Sequence, residues 1–183
     1  RNSLFGLSVA PKNATKGGEV KRHGLCAHYG RGSSMSMIGF WPVARCADHV
    51  VMSDMGRLAM SGPEVIESSN GVEEFDSRDR ALVWRTTGGK HRYLIGDCDV
   101  LVEDEVAAFR DAAADLLYQS RPLSLAAMEA EHALLSERLT HYGDCRDALD
   151  IWQRAGVPHP EQVADLEAKD IQALKALTLK EWA

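Results

Sequence analysis

Hydrophobic periodicity is weak at the start of the chain and strong at its end. Residues 1–37 mix Gly, Ser, Lys and Met, and the run from Gly30 to Met37 reads as loop. Pattern begins near residue 38. Pro42 suits the first turn of a short helix ending near Cys46. His49-Val50-Val51-Met52 is an apolar, β-branched run that predicts a buried strand, and Asp54-Met55-Gly56 predicts a turn. Arg57 to Ser61 predicts a second short strand, closed by Gly62-Pro63. The polar stretch from Ser68 to Ser77 reads as loop, with Asp76 or Ser77 capping a helix to about Thr86 and Gly88-Gly89 stopping it. Tyr93-Leu94-Ile95 before Gly96-Asp97 predicts a strand and turn, and Val100-Leu101-Val102 another buried strand. Asp104 then caps a helix with Val106, Phe109, Ala113 and Leu116 on one stripe.

Beyond residue 120 every pattern is helical. Pro122 breaks the preceding helix, and Leu125, Met128, Leu135 and Leu139 share one face of the next, which Gly143 ends. A helix over Asp147–Ala155 stops at Gly156-Val157-Pro158, and a last one carries Val163, Leu166, Ile171, Leu174 and Leu177. Such stripes are the mark of core or subunit contacts. The expected organisation is an irregular segment over 1–40, a core over 41–120 and a helical extension over 121–183.

Composition narrows the function classes. Hydrophobic residues make up 45% and charged residues 26%, a globular balance, and the net charge of -6 disfavours nucleic acid or an anionic membrane as partner. No run of 18 apolar residues is present in the 183, and the first residues show no apolar core of a secretory signal, so a cytoplasmic protein is expected. Cys26, Cys46, Cys98 and Cys145 are scattered without a C-x-x-C pair, which points to reduced thiols and no structural zinc. His132 and His141 have no ligand partner one turn on, so no metal site is expected.

Three groups carry candidate chemistry. Glu64 and Glu67 are spaced to share a helix face, as acid–base carboxylates or as first-turn charges facing the helix dipole. Arg78, Asp79 and Arg80 read as a solvated face or subunit ion pairs. Lys90, His91 and Arg92 form a local basic run able to meet a phosphate or an acidic partner.

One segment points further. Residues 46–67, CADHVVMSDMGRLAMSGPEVIE, resemble the core of carboxyltransferase β-type domains of the crotonase superfamily, in the order Ala47-Asp48, Gly56, then Ser61-Gly62-Pro63-Glu64-Val65-Ile66-Glu67. Residues 71–89, GVEEFDSRDRALVWRTTGG, and 146–157, RDALDIWQRAGV, resemble malonate decarboxylase β subunits specifically. The resemblance implies an α/β fold, a crotonase-like ββα spiral core fragment with a helical C-terminal extension. It also implies decarboxylation of malonyl-S-acyl carrier protein to acetyl-S-acyl carrier protein and CO2, together with a γ subunit in a hetero-oligomer. The substrate would ride on a phosphopantetheine-type arm, with no cofactor bound directly and no biotin.

Loss of CO2 leaves negative charge on the thioester oxygen, and preorganised backbone amides at a helix mouth are suited to hold it. The resemblance places those amides at Gly39 and Phe40, where only Gly39 of the family's Gly-Gly-Met turn is present. It makes Ser61, Gly62, Pro63, Glu64 and Val65 a wall of the thioester pocket, and Lys90, His91 and Arg92 the contact to the carrier's phosphate. Two alternatives share the resemblance: a non-catalytic docking subunit of the same complex, and a biotin-dependent acyl-CoA carboxyltransferase β-type subunit. A crotonase hydratase is disfavoured for want of a clear acid–base pair.

Overall fold

The structure, a computed structural model, describes residues 6–8, 25–28, 49–59, 61–116, 119 and 124–178. Four strands form one sheet in the order β1 (Gly6–Ser8), β2 (Leu25–His28), β3 (His49–Ser53) and β4 (Val100–Val102). β1 runs antiparallel to β2, while β2, β3 and β4 run parallel, with Leu25 opposite His49 and Val51 opposite Val100. Between β3 and β4 the chain forms α1 (Pro63–Asn70), α2 (Arg80–Thr87) and α3 (Gly89–Leu94). After β4 come α4 (Val106–Leu116), α5 (Leu125–Tyr142), α6 (Ala148–Arg154), a 3-10 turn (Pro160–Gln162) and α7 (Ala168–Thr178). The α/β class expected from the sequence is the class observed, with helix dominant.

Strand alternation sorts the core into two sides. Val51, Val100 and Val102 meet Leu116, Phe109, Ala112 and Ala113 of α4. On the other side Val50 and Met52 pack with Leu58 and Cys98. Leu101 packs there too, joining Leu94, Trp152, Val157, Val163 and Ile171. All five residues of β3 are buried, as a parallel strand covered on both faces requires. The Leu101 cluster draws on residues from both sides of position 120, so the C-terminal helices share the core with β4. Gln172 reinforces this seam by donating to the Leu101 carbonyl at 2.7 Å.

Several expectations need correction. The segment read as irregular supplies β1 and β2, whose pairing to β3 is non-local and leaves little periodicity in three or four residues. Among the described residues of Arg57 to Ser61 there is no strand but a single bridge from Arg57 to Gly88. Pro63–Asn70 is helix where part of the polar run was read as loop, because Pro63 presets its first turn. α2 is capped by Asp79, which accepts from the Leu82 amide at 3.0 Å; Asp76 instead accepts from Arg78 in the turn before it. Tyr93 and Leu94 end a helix rather than form a strand.

Gly88 and Gly89 divide two helices instead of ending one. The Gly89 amide donates to the Gly56 carbonyl at 2.7 Å, and a Cβ at Gly89 would lie 2.1 Å from the Ser53 carbonyl oxygen. Only glycine permits that backbone crossing. The expected helix over Pro42–Cys46 and the break at Pro122 lie outside the described residues.

Candidate functional site

The 61–67 segment forms the mouth of α1. Gly62 is the N-cap in extended backbone, Pro63 occupies the first turn, and no side chain caps the helix. The Val65 and Ile66 amides both turn back to the Gly62 carbonyl at 3.0 Å. Gly62 is buried, Ser61 and Pro63 half-buried, and Glu64 and Val65 exposed. Glu67 is otherwise engaged: its carboxylate accepts from the Ser77 amide at 2.7 Å, and bonding to Ser77 holds its pKa below the ordinary value. That bond folds the 71–79 loop back onto α1. Glu64, by contrast, acts on the Arg57 guanidinium through charge. The two glutamates therefore face different partners. Gly39 and Phe40 lie outside the described residues.

Arg57 connects this mouth to a cavity. Its guanidinium sits 5.1 Å over the Trp84 ring, and Trp84 lines a cavity of about 570 Å³ between α2, α3, α6 and the 3-10 turn. A cavity of this volume is in the range that holds small organic ligands. Trp84, Trp152, Leu149 and Val163 make its wall apolar, and Asp54 and Lys90 put charge into it. Lys90 is half-buried and its Nζ donates to the Ala164 carbonyl at 2.5 Å. Burial lowers its pKa, while the carboxylates of Asp54, Asp165 and Glu103 work against that shift. Burial also raises the pKa of Asp54. Asp54 Oδ1, His91 Nδ1 and Trp152 Nε1 have no hydrogen-bond partner among the described residues.

The basic run at 90–92 is split by helix geometry, since successive residues project about 100° apart. Lys90 reaches the cavity. His91 is buried with its ring 5.9 Å from that of Trp152, and burial, then the Arg92 charge, push its pKa down to about 3, so it is neutral. Arg92 turns inward, donating to the Leu58 carbonyl and to Asp97, each at 3.0 Å. These three side chains form no common surface.

The charged cluster at 78–80 is divided in the same way, with Asp79 capping α2 and Arg80 lining the cavity. Asp54, Trp84 and Trp152 were not singled out by sequence, because their meeting depends on α6 docking against α2. Arg85 makes that docking bond, a bidentate pair with Asp147 at 2.6–3.2 Å. Asp147 in turn caps α6 through the Leu149 amide in a reciprocal capping box with Asp150.

No protein-family model matches the chain. It is 37% identical over 139 residues to the malonyl-S-ACP:biotin-protein carboxyltransferase of Malonomonas rubra, covering 72% of this chain and 43% of that protein. Its fold matches a chain in the crystal structure of a Pseudomonas malonate decarboxylase hetero-tetramer in complex with malonate. That match has a TM-score of 0.59 and 26% identity, over 71% of this chain and 46% of that one. The chain is thus similar to α/β proteins of carboxyltransferase type. The particular likeness, the one the segment at 46–67 implied, is to malonate decarboxylase and malonyl carboxyltransferase subunits. The chain spans less than half the length of each of these relatives.

Proposed function

We propose that the chain is the β-type subunit of a biotin-independent malonate decarboxylase. It would act with a γ subunit, in the cytoplasm, on malonyl-S-acyl carrier protein. The observation that carries this reading is the 37% identity over 139 residues to a protein named for malonyl-S-ACP, joined to a fold match with a malonate decarboxylase hetero-tetramer. In the proposed step the bond from the α-carbon to the carboxylate breaks and CO2 leaves. The electron pair stays as a thioester enolate, and a proton adds to the α-carbon to give the acetyl thioester.

The enolate oxygen is assigned to the amides of Gly39 and Phe40, and one such donor is worth roughly 2.7–4 kcal/mol of barrier. Ser61 to Val65 form the wall behind the thioester. Of the three basic residues, Lys90 is assigned to the carrier's phosphate or arm, and its position in the lining of the cavity supports that assignment. His91 and Arg92 support it from within α3.

A second reading, transfer of the carboxyl group to a biotin protein, is favoured by the name of the Malonomonas rubra relative. One assay separates the two. The chain is combined with its γ subunit and malonyl-S-acyl carrier protein, and CO2 release is followed with and without a biotin protein. Release without biotin is expected. Release only with the biotin protein selects the second reading, and a stable but inactive complex selects a docking role.

A further inference from the structure

Among the described residues four arginines are not exposed: Arg57, Arg85, Arg92 and Arg138. Three of these are committed to carboxylates. Arg85 forks onto Asp147, Arg92 donates to Asp97, and Arg138 lies 4.0 Å from the same Asp97. Arg57 is the exception. Its guanidinium lies 5.1 Å over the Trp84 ring and makes no hydrogen bond or ion pair among the described residues. Burial lowers its pKa, and the charge of the exposed Glu64 works against that shift. The cation is thus partly desolvated without a bonded counter-ion. A guanidinium held over an indole engages the ring through its charge and leaves its N–H edge to fork onto a carboxylate or a phosphate.

Position favours a ligand as well. Arg57 follows the turn that leaves β3, at the carboxyl end of a parallel strand, where α/β sheets bind their ligands. Trp84 joins that point to the cavity of about 570 Å³, whose wall is apolar at Trp84, Trp152 and Leu149. Arg80 stands one turn before Trp84 on the same face of α2, also lines the cavity and adds a second positive charge.

We propose that Arg57, held on Trp84, is the anion-binding residue of a site for an organic anion, a carboxylate or a phosphate ester carried on an apolar body that enters the cavity. The proposal does not depend on the decarboxylase reading. Glu64 is the competitor within the chain, since its charge already acts on the guanidinium.

The test is calorimetric titration of the full chain with phenylpropionate, phenyl phosphate and the neutral phenylpropanol. Both anions are expected to bind, and the alcohol at least about tenfold more weakly. Arg57→Met keeps an apolar stem over Trp84; it should weaken the anions by about tenfold or more and leave the alcohol unchanged. Glu64→Gln removes the competing charge and should tighten the anions severalfold, an effect that a purely structural Arg57 would not show. Glu64 is exposed, so this variant keeps the test open if Arg57→Met fails to fold. The tighter of the two anions tells whether a carboxylate or a phosphate ester is the natural head group. The proposal is overturned by an alcohol that binds as tightly as the anions, or by an equal loss of all three probes in Arg57→Met. It is overturned equally by anion affinity untouched in both variants, or by a larger loss from Arg80→Gln than from Arg57→Met.

Discussion

His91 makes the pH dependence of stability a quantitative test of the core around the cavity. In the unfolded chain its pKa is near 6.5; in the fold, burial and the Arg92 charge lower it to about 3. The neutral ring is therefore retained by the folded state while the unfolded state takes up a proton. The folded pKa is depressed, so the stability is fully present above pH 6.5 and is lost as pH falls toward 3. Each unit corresponds to about 1.4 kcal/mol, which amounts to about 0.8 kcal/mol lost at pH 6 and about 2 kcal/mol at pH 5.

The perturbation is His91→Leu, which has similar volume against Trp152 and no titratable group. Urea denaturation of both proteins at a series of pH values gives the difference in their unfolding free energies. That difference should move in favour of the variant by about 2 kcal/mol between pH 7.5 and pH 5. Carboxylates common to both chains cancel. Wild type and variant losing stability in parallel over this range would mean that His91 reaches solvent or a partner, and the neutral, buried ring would be refuted.

Other residues test other links. Gly89→Ala should cost about 3 kcal/mol or more in thermal or chemical unfolding, since its Cβ meets the Ser53 carbonyl rather than a movable side chain. Asp147→Ala should cost about 2 kcal/mol by removing both an N-cap and a charge-assisted pair with Arg85. Burial raises the Asp147 pKa, but the Arg85 and Leu149 bonds outweigh it and hold the pKa low; that contribution is present above the unfolded carboxylate pKa and fades as pH falls through the folded one. Asp147→Ala should therefore lose less stability than wild type on acidification below pH 4, measured by the same denaturation series. On the proposed function, Gly62→Val in the reconstituted complex should cut CO2 release by at least about tenfold through bulk at the α1 mouth, and unchanged activity would remove 61–65 from the proposed thioester wall.

The parts of the fold that could be read in one dimension are those whose cause is local. His49 to Met52 and Val100 to Val102 are strands because β-branched apolar runs suit a sheet covered on both sides, and both were read correctly. The helix at 106–116 follows from its period, and that at 148–154 from its cap. Failures fall where a distant segment decides. Gly88-Gly89 looks like punctuation, yet its demand for glycine comes from Ser53 and Gly56 passing across it. Tyr93-Leu94-Ile95 is strand-like by composition, but it extends the helix that the crossing starts, with Leu94 and His91 on one buried face.

The same distinction separates what could be read of the candidate site. A string such as Ser61 to Glu67 is found by resemblance, and it does lie at a helix mouth. The cavity is invisible to that approach because its walls come from four separate stretches of chain: the turn after β3, the α2–α3 pair, α6 and the 3-10 turn. The run at 90–92 shows why adjacency misleads. Three basic residues in sequence suggest one positive surface, but a helix turns them to three different surroundings. One is a half-buried ammonium beside Asp54, one a neutral ring against an indole, and one a guanidinium committed to Asp97 and Leu58. Lys90 is then the residue on which electrostatics and access coincide. Lys90→Met should weaken the carrier protein's apparent affinity in the CO2 assay while leaving turnover at saturation little changed. A fall in turnover with unchanged affinity would instead place Lys90 at the reacting centre.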